Sequence, residues 1–226
     1  MQRETCHQTT LFGTPSVGQY YCVENPSVFK MTDDLARIIL VVGFAVVMPV
    51  GFYHRVRSHT DERLDRRQEG WLILLCLRPL ALAFMAGLVA FLIDPSWMAW
   101  ASFQLPNWAR WCGVGLAGGA SALLIWTFRS LGHNLTDTVV TRRNATLVTH
   151  GPYRWVRHPF YLAFAMAVIG NTLVTANGFL AITGIAVFLV LVARTSIEER
   201  KLIERFGHDY VEYAERTGRF LPRISR

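Results

Sequence analysis

Two stretches of this chain carry residue types whose order has chemical meaning. In the first, Gly151, Pro152 and Tyr153 lead to Arg157, His158, Pro159, Phe160 and Tyr161, which open an apolar run. Proline suits a first helical turn, where its missing N–H would be unpaired anyway. The residue before a proline is held extended, so His158 should sit just outside the helix. Unpaired N–H groups and the positive dipole end then surround His158 and Tyr161, which attracts an anionic or carboxylate group. The Gly151-Pro152 turn brings Tyr153 toward the same end. Taken singly, these aromatic and arginine residues read as interfacial anchors. Their fixed order asks for more.

The second stretch pairs Arg194 with Glu198, four residues apart and therefore on one helical face. On an open surface that pair is worth only ~0.3–0.5 kcal/mol. Glu198 and Glu199 side by side at a membrane surface are harder to dismiss, and suit a bound cation or ribose hydroxyls. Phe206 and Gly207 then break the helix, and Tyr210 and Tyr213 share a face of a short successor. Gly218 and Pro222 are its stop signals. Such an amphipathic tail is expected to lie on the membrane and to close the site from the cytosol.

The elements that must position these residues follow from composition. The chain has 226 residues, 52% of them hydrophobic and only 17% charged, against about 25% charged in soluble domains. Disorder is excluded by the apolar content, and a disulfide scaffold by the four cysteines. The class that remains is an all-α integral membrane protein. Residues 35–53, 71–93 and 108–128 can each cross a hydrocarbon core of ~30 Å. Two shorter runs, 159–175 and 178–193, flank an Asn177-Gly178 turn and form a hairpin. The expectation is five transmembrane helices, residues 35–226, with a C-terminal amphipathic cytosolic tail. Residues 1–34 form a polar extracytoplasmic segment without the apolar run of a cleaved leader.

Basic residues orient the spans. They are dense in 55–67, in 129–157 and from Arg194 onward, and absent from 94–107 and 170–177. The positive-inside rule puts the N-terminus outside and the C-terminus in the cytoplasm, with Trp97, Trp100, Trp108 and Trp111 as an outer aromatic belt. The net charge of +7 then reflects topology and anionic lipid rather than nucleic acid. Cys76 and Cys112 lie inside spans as small core residues, while Cys6 and Cys22 stand in the outer segment, where pairing is permitted. No ligand spacing suggests a metal. Arg78 inside the second span is either functional or a snorkelling side chain. Gly113, Gly115 and Gly118 match a dinucleotide string, but no strand precedes them, so with Gly119 they read as close helix packing.

The strings Leu147-Val148-Thr149-x-Gly151-x-Tyr153, Arg157-His158-Pro159-x-Tyr161 and Glu198-Glu199-x-x-Leu202-x-x-x-Phe206-Gly207-x-x-Tyr210-x-x-Tyr213 together resemble the isoprenylcysteine carboxyl methyltransferase family. The related phospholipid N-methyltransferases share much of the pattern. The resemblance covers about residues 130–223. It implies S-adenosyl-L-methionine as methyl donor. Ala145, Thr146, Leu147, Val148 and Tyr153 would line the donor, His158, Pro159, Phe160 and Tyr161 would hold its methionine or ribose part, and Glu198 would bind it from the fifth span. Arg194 would face the methyl acceptor, making Arg194 and Glu198 the catalytic pair. Ala145 stands where the family often has histidine, and Ala163 where it often has glycine.

A carboxylate acceptor is already deprotonated at neutral pH, so it asks for a cation to grip it rather than a base. Arg194 has the planar fork for that grip. A lipophilic acceptor would enter from the bilayer, with membrane lipids as the other partners and no metal or nucleic acid. The alternatives are a phospholipid N-methyltransferase, an NADPH-dependent membrane reductase sharing the Arg-His-Pro-x-Tyr string, and a non-enzymatic membrane protein.

Overall fold

The computed structural model describes residues 30–57, 71–132 and 146–223. Within them lie α1 (Asp33–Arg57), α2 (Trp71–Ile93), α3 (Asn107–Leu131), α4 (Pro159–Thr175), α5 (Gly178–Phe206) and α6 (His208–Arg216). Short 3-10 helices occupy Pro95–Ala101 and Gly151–Arg154. No strand occurs among the described residues; the extended contacts are two isolated bridges.

The helix ends have local causes. The Thr32 hydroxyl accepts from Leu35 N at 3.2 Å, and Asp33 and Asp34 complement the positive end of α1. α1 therefore starts before, and ends beyond, the expected 35–53. Asn177 caps α5 by accepting from Leu180 N at 3.2 Å, while its amide donates to Met98 O at 2.8 Å. It is fully buried and ties the α4–α5 turn to the Pro95–Ala101 helix. At the same end, Arg110 donates to Val174 O, Met31 O and the Asp33 carboxylate, drawing α1, α3 and α4 together.

Among the described residues, four helices are long and apolar enough to cross a membrane: α1, α2, α3 and α5. α4, with 17 residues, is apolar but shorter. Many large apolar side chains on the bundle face outward, among them Leu82, Ile182 and Leu189. This suits a multi-pass membrane protein, whose outer surface meets lipid. The belt tryptophans Trp97, Trp100, Trp108 and Trp111 are all exposed. α5 is the main departure in length. It runs unbroken for 29 residues, because nothing between Ala193 and Phe206 breaks a helix, and so it carries Arg194, Glu198 and Glu199 rigidly beyond its apolar part.

The closest helix pair is α3 on α4. A Cβ at Gly113 would lie 2.9 Å from Gly170 O, and one at Gly170 would lie 2.8 Å from Ala117 N. Small residues let the two backbones touch. Gly119 meets Met166, but Gly115 and Gly118 face open space, so only half of the expected glycine packing is present. Cys76 and Cys112 are exposed on the bundle rather than core residues. Arg78 is exposed on the bundle's outer surface, as snorkelling requires. Cys6, Cys22 and Ala145 lie outside the described residues.

Candidate active site

Pro159 opens α4 and His158 precedes it outside helical geometry, with φ −124°. The approach is held from the side by the chain that follows α6. Arg157 N donates to Gly218 O at 2.8 Å, His158 N donates to Arg219 O at 3.1 Å, and Gly218 N donates to Trp155 O at 3.3 Å. Upstream, Gly151 turns the chain at φ +63°, where a Cβ would also run into the Ser130 hydroxyl. That turn needs glycine.

Against this end of α4, α5 presents its carboxylates. The Tyr161 hydroxyl donates to Glu198 Oε1 at 2.6 Å. Arg194 Nε lies 3.4 Å from the same oxygen, one helical turn back on α5. Side-chain exposure is 10% for Arg194 and 20% for Glu198, so this is not the open surface pair whose value is small. The second oxygen of Glu198 stands 3.6 Å from His158 Nδ1.

Glu199 organises the other side of His158. Its Oε1 accepts from Arg157 Nε at 2.9 Å and faces His158 Nε2 at 3.2 Å, and its Oε2 meets Arg219 Nη2 at 2.9 Å. A carboxylate can only accept, so Nε2 carries the proton in this contact. Nδ1 stands on the other side of the ring beside Glu198 Oε2, so the imidazole is held between two carboxylates. The Glu198 oxygens can accept from a donor such as a hydroxyl or an ammonium group. Three guanidinium groups outnumber two carboxylates in the cluster, which suits a ligand that also carries an anionic group.

Tyr153 lies behind the cluster. Its carbonyl accepts from the Tyr213 hydroxyl at 2.7 Å. Burial pushes the Tyr153 phenol well above its ordinary pKa, and the nearby Tyr213 and the charge of Glu198 push the same way. Burial likewise raises Tyr213 to about 12, against the opposing pull of Arg157 and a Thr217 hydrogen bond.

Of the residues singled out from sequence, His158, Tyr161, Arg194 and Glu198 converge, and Tyr153 is near enough for the Glu198 charge to act on its phenol. Pro159 is buried and sets the helix start. Phe160 turns outward, 38% exposed, with its ring 6.3 Å from Phe128. Thr146, Leu147 and Val148 form an irregular approach to the Gly151–Arg154 helix, Thr146 exposed and the other two half-buried. An open cleft of about 300 Å³ is lined by Thr149, Arg154, Asp209, Glu212, Tyr213, Arg216 and Thr217, without His158, Tyr161 or Glu198. Sequence reasoning gave no role to Arg157, Arg219 or Phe220. Glu199, singled out with Glu198 as a carboxylate pair for a cation or ribose hydroxyls, instead meets Arg157, His158 and Arg219; Arg219 and Phe220 had no local signal.

Comparison with known proteins finds a family whose pattern matches the segment that carries most of this cluster. Residues 113–204 match the isoprenylcysteine carboxyl methyltransferase (ICMT) family. The resemblance thus extends over α4, α5 as far as Glu204, and every contact among Arg157, His158, Tyr161, Arg194, Glu198 and Glu199. The chain is 35% identical over 96 residues to a protein-S-isoprenylcysteine O-methyltransferase of Saccharomyces cerevisiae, covering 41% of this chain and 40% of that protein. It is 38% identical over 126 residues to the cobalt-zinc-cadmium resistance protein CzcN of Cupriavidus metallidurans, covering 52% and 56%. It is also 38% identical over 107 residues to methanethiol S-methyltransferase 1 of Bradyrhizobium diazoefficiens, covering 45% and 36%. These matches span about half or less of each relative. The solved structure of a eukaryotic intramembrane Ras methyltransferase, ICMT, superposes with a TM-score of 0.54 at 21% identity, covering 84% of this chain and 68% of that one. That likeness establishes the ICMT fold.

Proposed function

We propose that this protein is an integral membrane, S-adenosyl-L-methionine-dependent methyltransferase that esterifies a lipophilic carboxylate of the isoprenylcysteine kind. The observation that carries the reading is the convergence of Tyr161 and His158 from the start of α4 with Glu198 and Arg194 from α5, inside the segment matched to the ICMT family. The cluster's chemistry fits the methyl donor. Glu198 offers acceptors to ribose hydroxyls or an ammonium group, and the arginines offer partners to a carboxylate. The Tyr210 hydroxyl and Arg219 Nε are buried without a hydrogen-bond partner among the described residues, so donors remain for a ligand to meet.

The donor supplies a methyl group on a sulfonium, and the protein supplies position. A carboxylate oxygen forms the new C–O bond as the S–CH₃ bond breaks and its electron pair stays on sulfur. No proton moves, so no general base is needed. Holding the acceptor in line and partly desolvated is the catalytic task. Arg194, anchored one turn from Glu198, is placed to grip that acceptor next to the donor.

In this reading α4 also crosses the membrane, which makes five spans. At 1.5 Å per residue it reaches about 25 Å, near the thickness of the hydrocarbon core, and it crosses as a hairpin with α5. The N-terminus lies outside, the cluster and tail lie at the cytoplasmic face, and the acceptor arrives through the bilayer. The kinship with a methanethiol S-methyltransferase favours one second reading, in which a small thiol is the acceptor.

The test is methyl transfer from radiolabelled S-adenosylmethionine by the detergent-purified full chain. A farnesylated cysteine with a free carboxylate, its carboxamide counterpart and methanethiol are offered in parallel. Labelling of the free acid alone supports the proposal. Labelling of methanethiol alone selects the second reading, and labelling of none removes both.

A further inference from the structure

The segment that follows α6 does more than end the chain. Thr217 is buried, and its carbonyl, with that of Ala214, accepts from Arg157 Nη1. Gly218 lies beside Val156 as a parallel bridge, and the segment makes three backbone hydrogen bonds with residues 155–158. A Cβ at Gly218 would collide with the Leu221 carbonyl, so the chain is folded tightly back on itself there. This path delivers two side chains to the cluster. Arg219 Nη2 reaches Glu199 Oε2 at 2.9 Å. The Phe220 ring lies 5.8 Å from that of His158 and 6.5 Å from that of Tyr161, and the Arg219 guanidinium sits 5.8 Å from the Phe220 centroid.

We propose that Arg219 and Phe220 are positioning residues of the methyl-donor site, Arg219 acting through Glu199 on His158 and Phe220 covering His158 and Tyr161. The inference rests on the donor reading above and extends it to residues outside the segment matched to the family. Glu199 is bracketed by Arg157 on one oxygen and Arg219 on the other. With both in place, its Oε1 is held toward His158 Nε2, and this contact sets the ring's orientation between Glu199 and Glu198. Without Arg219 the carboxylate keeps only its Arg157 anchor on Oε1, and its contact with the imidazole is held less firmly. Phe220 supplies what polar groups cannot, an apolar cover that keeps water off the two ring faces. The protein thus pairs a rigid half of the site on α4 and α5 with a docked half on the tail.

The experiment uses the full chain in detergent, with S-adenosylhomocysteine binding by calorimetry, methyl transfer against pH, and melting without ligand. For Arg219→Gln we expect about tenfold weaker binding, the scale of a lost charge-assisted hydrogen bond, and an altered pH profile of turnover. Arg219→Lys should recover part of both. For Phe220→Ala we expect faster ligand release, and for Phe220→Tyr near-normal behaviour. The ligand-free melting temperatures should stay close to the parent's. Binding and pH profile unchanged within twofold in Arg219→Gln and Phe220→Ala, with a parent that binds, would overturn this inference alone. Effects that merely follow a lowered melting temperature would overturn it too, by showing a structural cap. A parent that does not bind the ligand overturns the donor reading, and this inference with it.

Discussion

Tyr161 on α4 donates its hydroxyl to Glu198 on α5 at 2.6 Å, linking residues 37 positions apart. The same carboxylate oxygen faces Arg194, so one atom joins the start of α4 to the helix that carries the proposed acceptor grip. Short hydrogen bonds to an ionised group are the strong ones, and this one is sheltered.

Removing either partner should therefore weaken donor binding. For Tyr161→Phe and for Glu198→Gln we expect a loss of about 1.5–3 kcal/mol, the usual value of a hydrogen bond involving a charged group. The double variant should lose less than the sum, because both single changes remove one shared contact. Calorimetry with S-adenosylhomocysteine checks this; strict additivity would show that the contact is not shared in solution.

Arg194→Ala should separate turnover from donor binding. We expect most methyl transfer to vanish while S-adenosylhomocysteine affinity falls by much less than in Glu198→Gln. Arg194→Lys should rescue poorly, since an ammonium lacks the planar fork. Equal losses of affinity in Arg194→Ala and Glu198→Gln would instead make Arg194 a support for Glu198.

The glycines of α3 predict opposite outcomes on one helix. Gly113→Ala would push a methyl against Gly170 O and Leu173, and overpacking of that kind costs roughly 1–3 kcal/mol. Gly115→Ala and Gly118→Ala meet open space and should be neutral or gain up to about 1 kcal/mol from helix propensity. Thermal unfolding in one detergent ranks the three.

High pH should loosen the tail. Tyr213 rises from its usual 10 to about 12 on folding. A raised pKa contributes stability that is fully present below about 10 and is lost as pH rises through about 12. Phenolate absorbance should therefore show a late-ionising fraction that shrinks in Tyr213→Phe, and melting temperatures should fall across that window.

Orientation is checked by labelling single cysteines in a cysteine-free background with an impermeant maleimide. A probe at Ser96, which is exposed, should react on intact cells, and one at Arg223, also exposed, only after permeabilisation. Ala176, though in the α4–α5 turn at the same end as Ser96, is a poor probe position because it is buried and holds a left-handed φ of +48°. Reaction of Arg223→Cys from outside would reverse the proposed topology.

Much of this protein is written locally. Apolar runs set α2 and α4 to the residue, because burial in lipid and helix length are properties of contiguous sequence. Pro159, Asn177 and Gly207 mark helix ends through their own backbone chemistry, and the spacing of Arg194 and Glu198 alone puts them on one face. Tertiary structure decided what spacing cannot carry. Whether Gly113 or Gly115 meets a neighbour depends on how α3 is rotated against α4, and the sequence presents both alike. Cys76 and Cys112 face outward for the same reason: in lipid an apolar residue need not point inward. Glu199 meets Arg157 and His158 because the start of α4 packs on α5, and it acquires Arg219 because the tail returns along residues 155–158, a pairing made by backbone atoms that every residue possesses. Contacts of that kind leave no mark on residue type, so Arg219 and Phe220 become visible as part of the site only once the chain is folded.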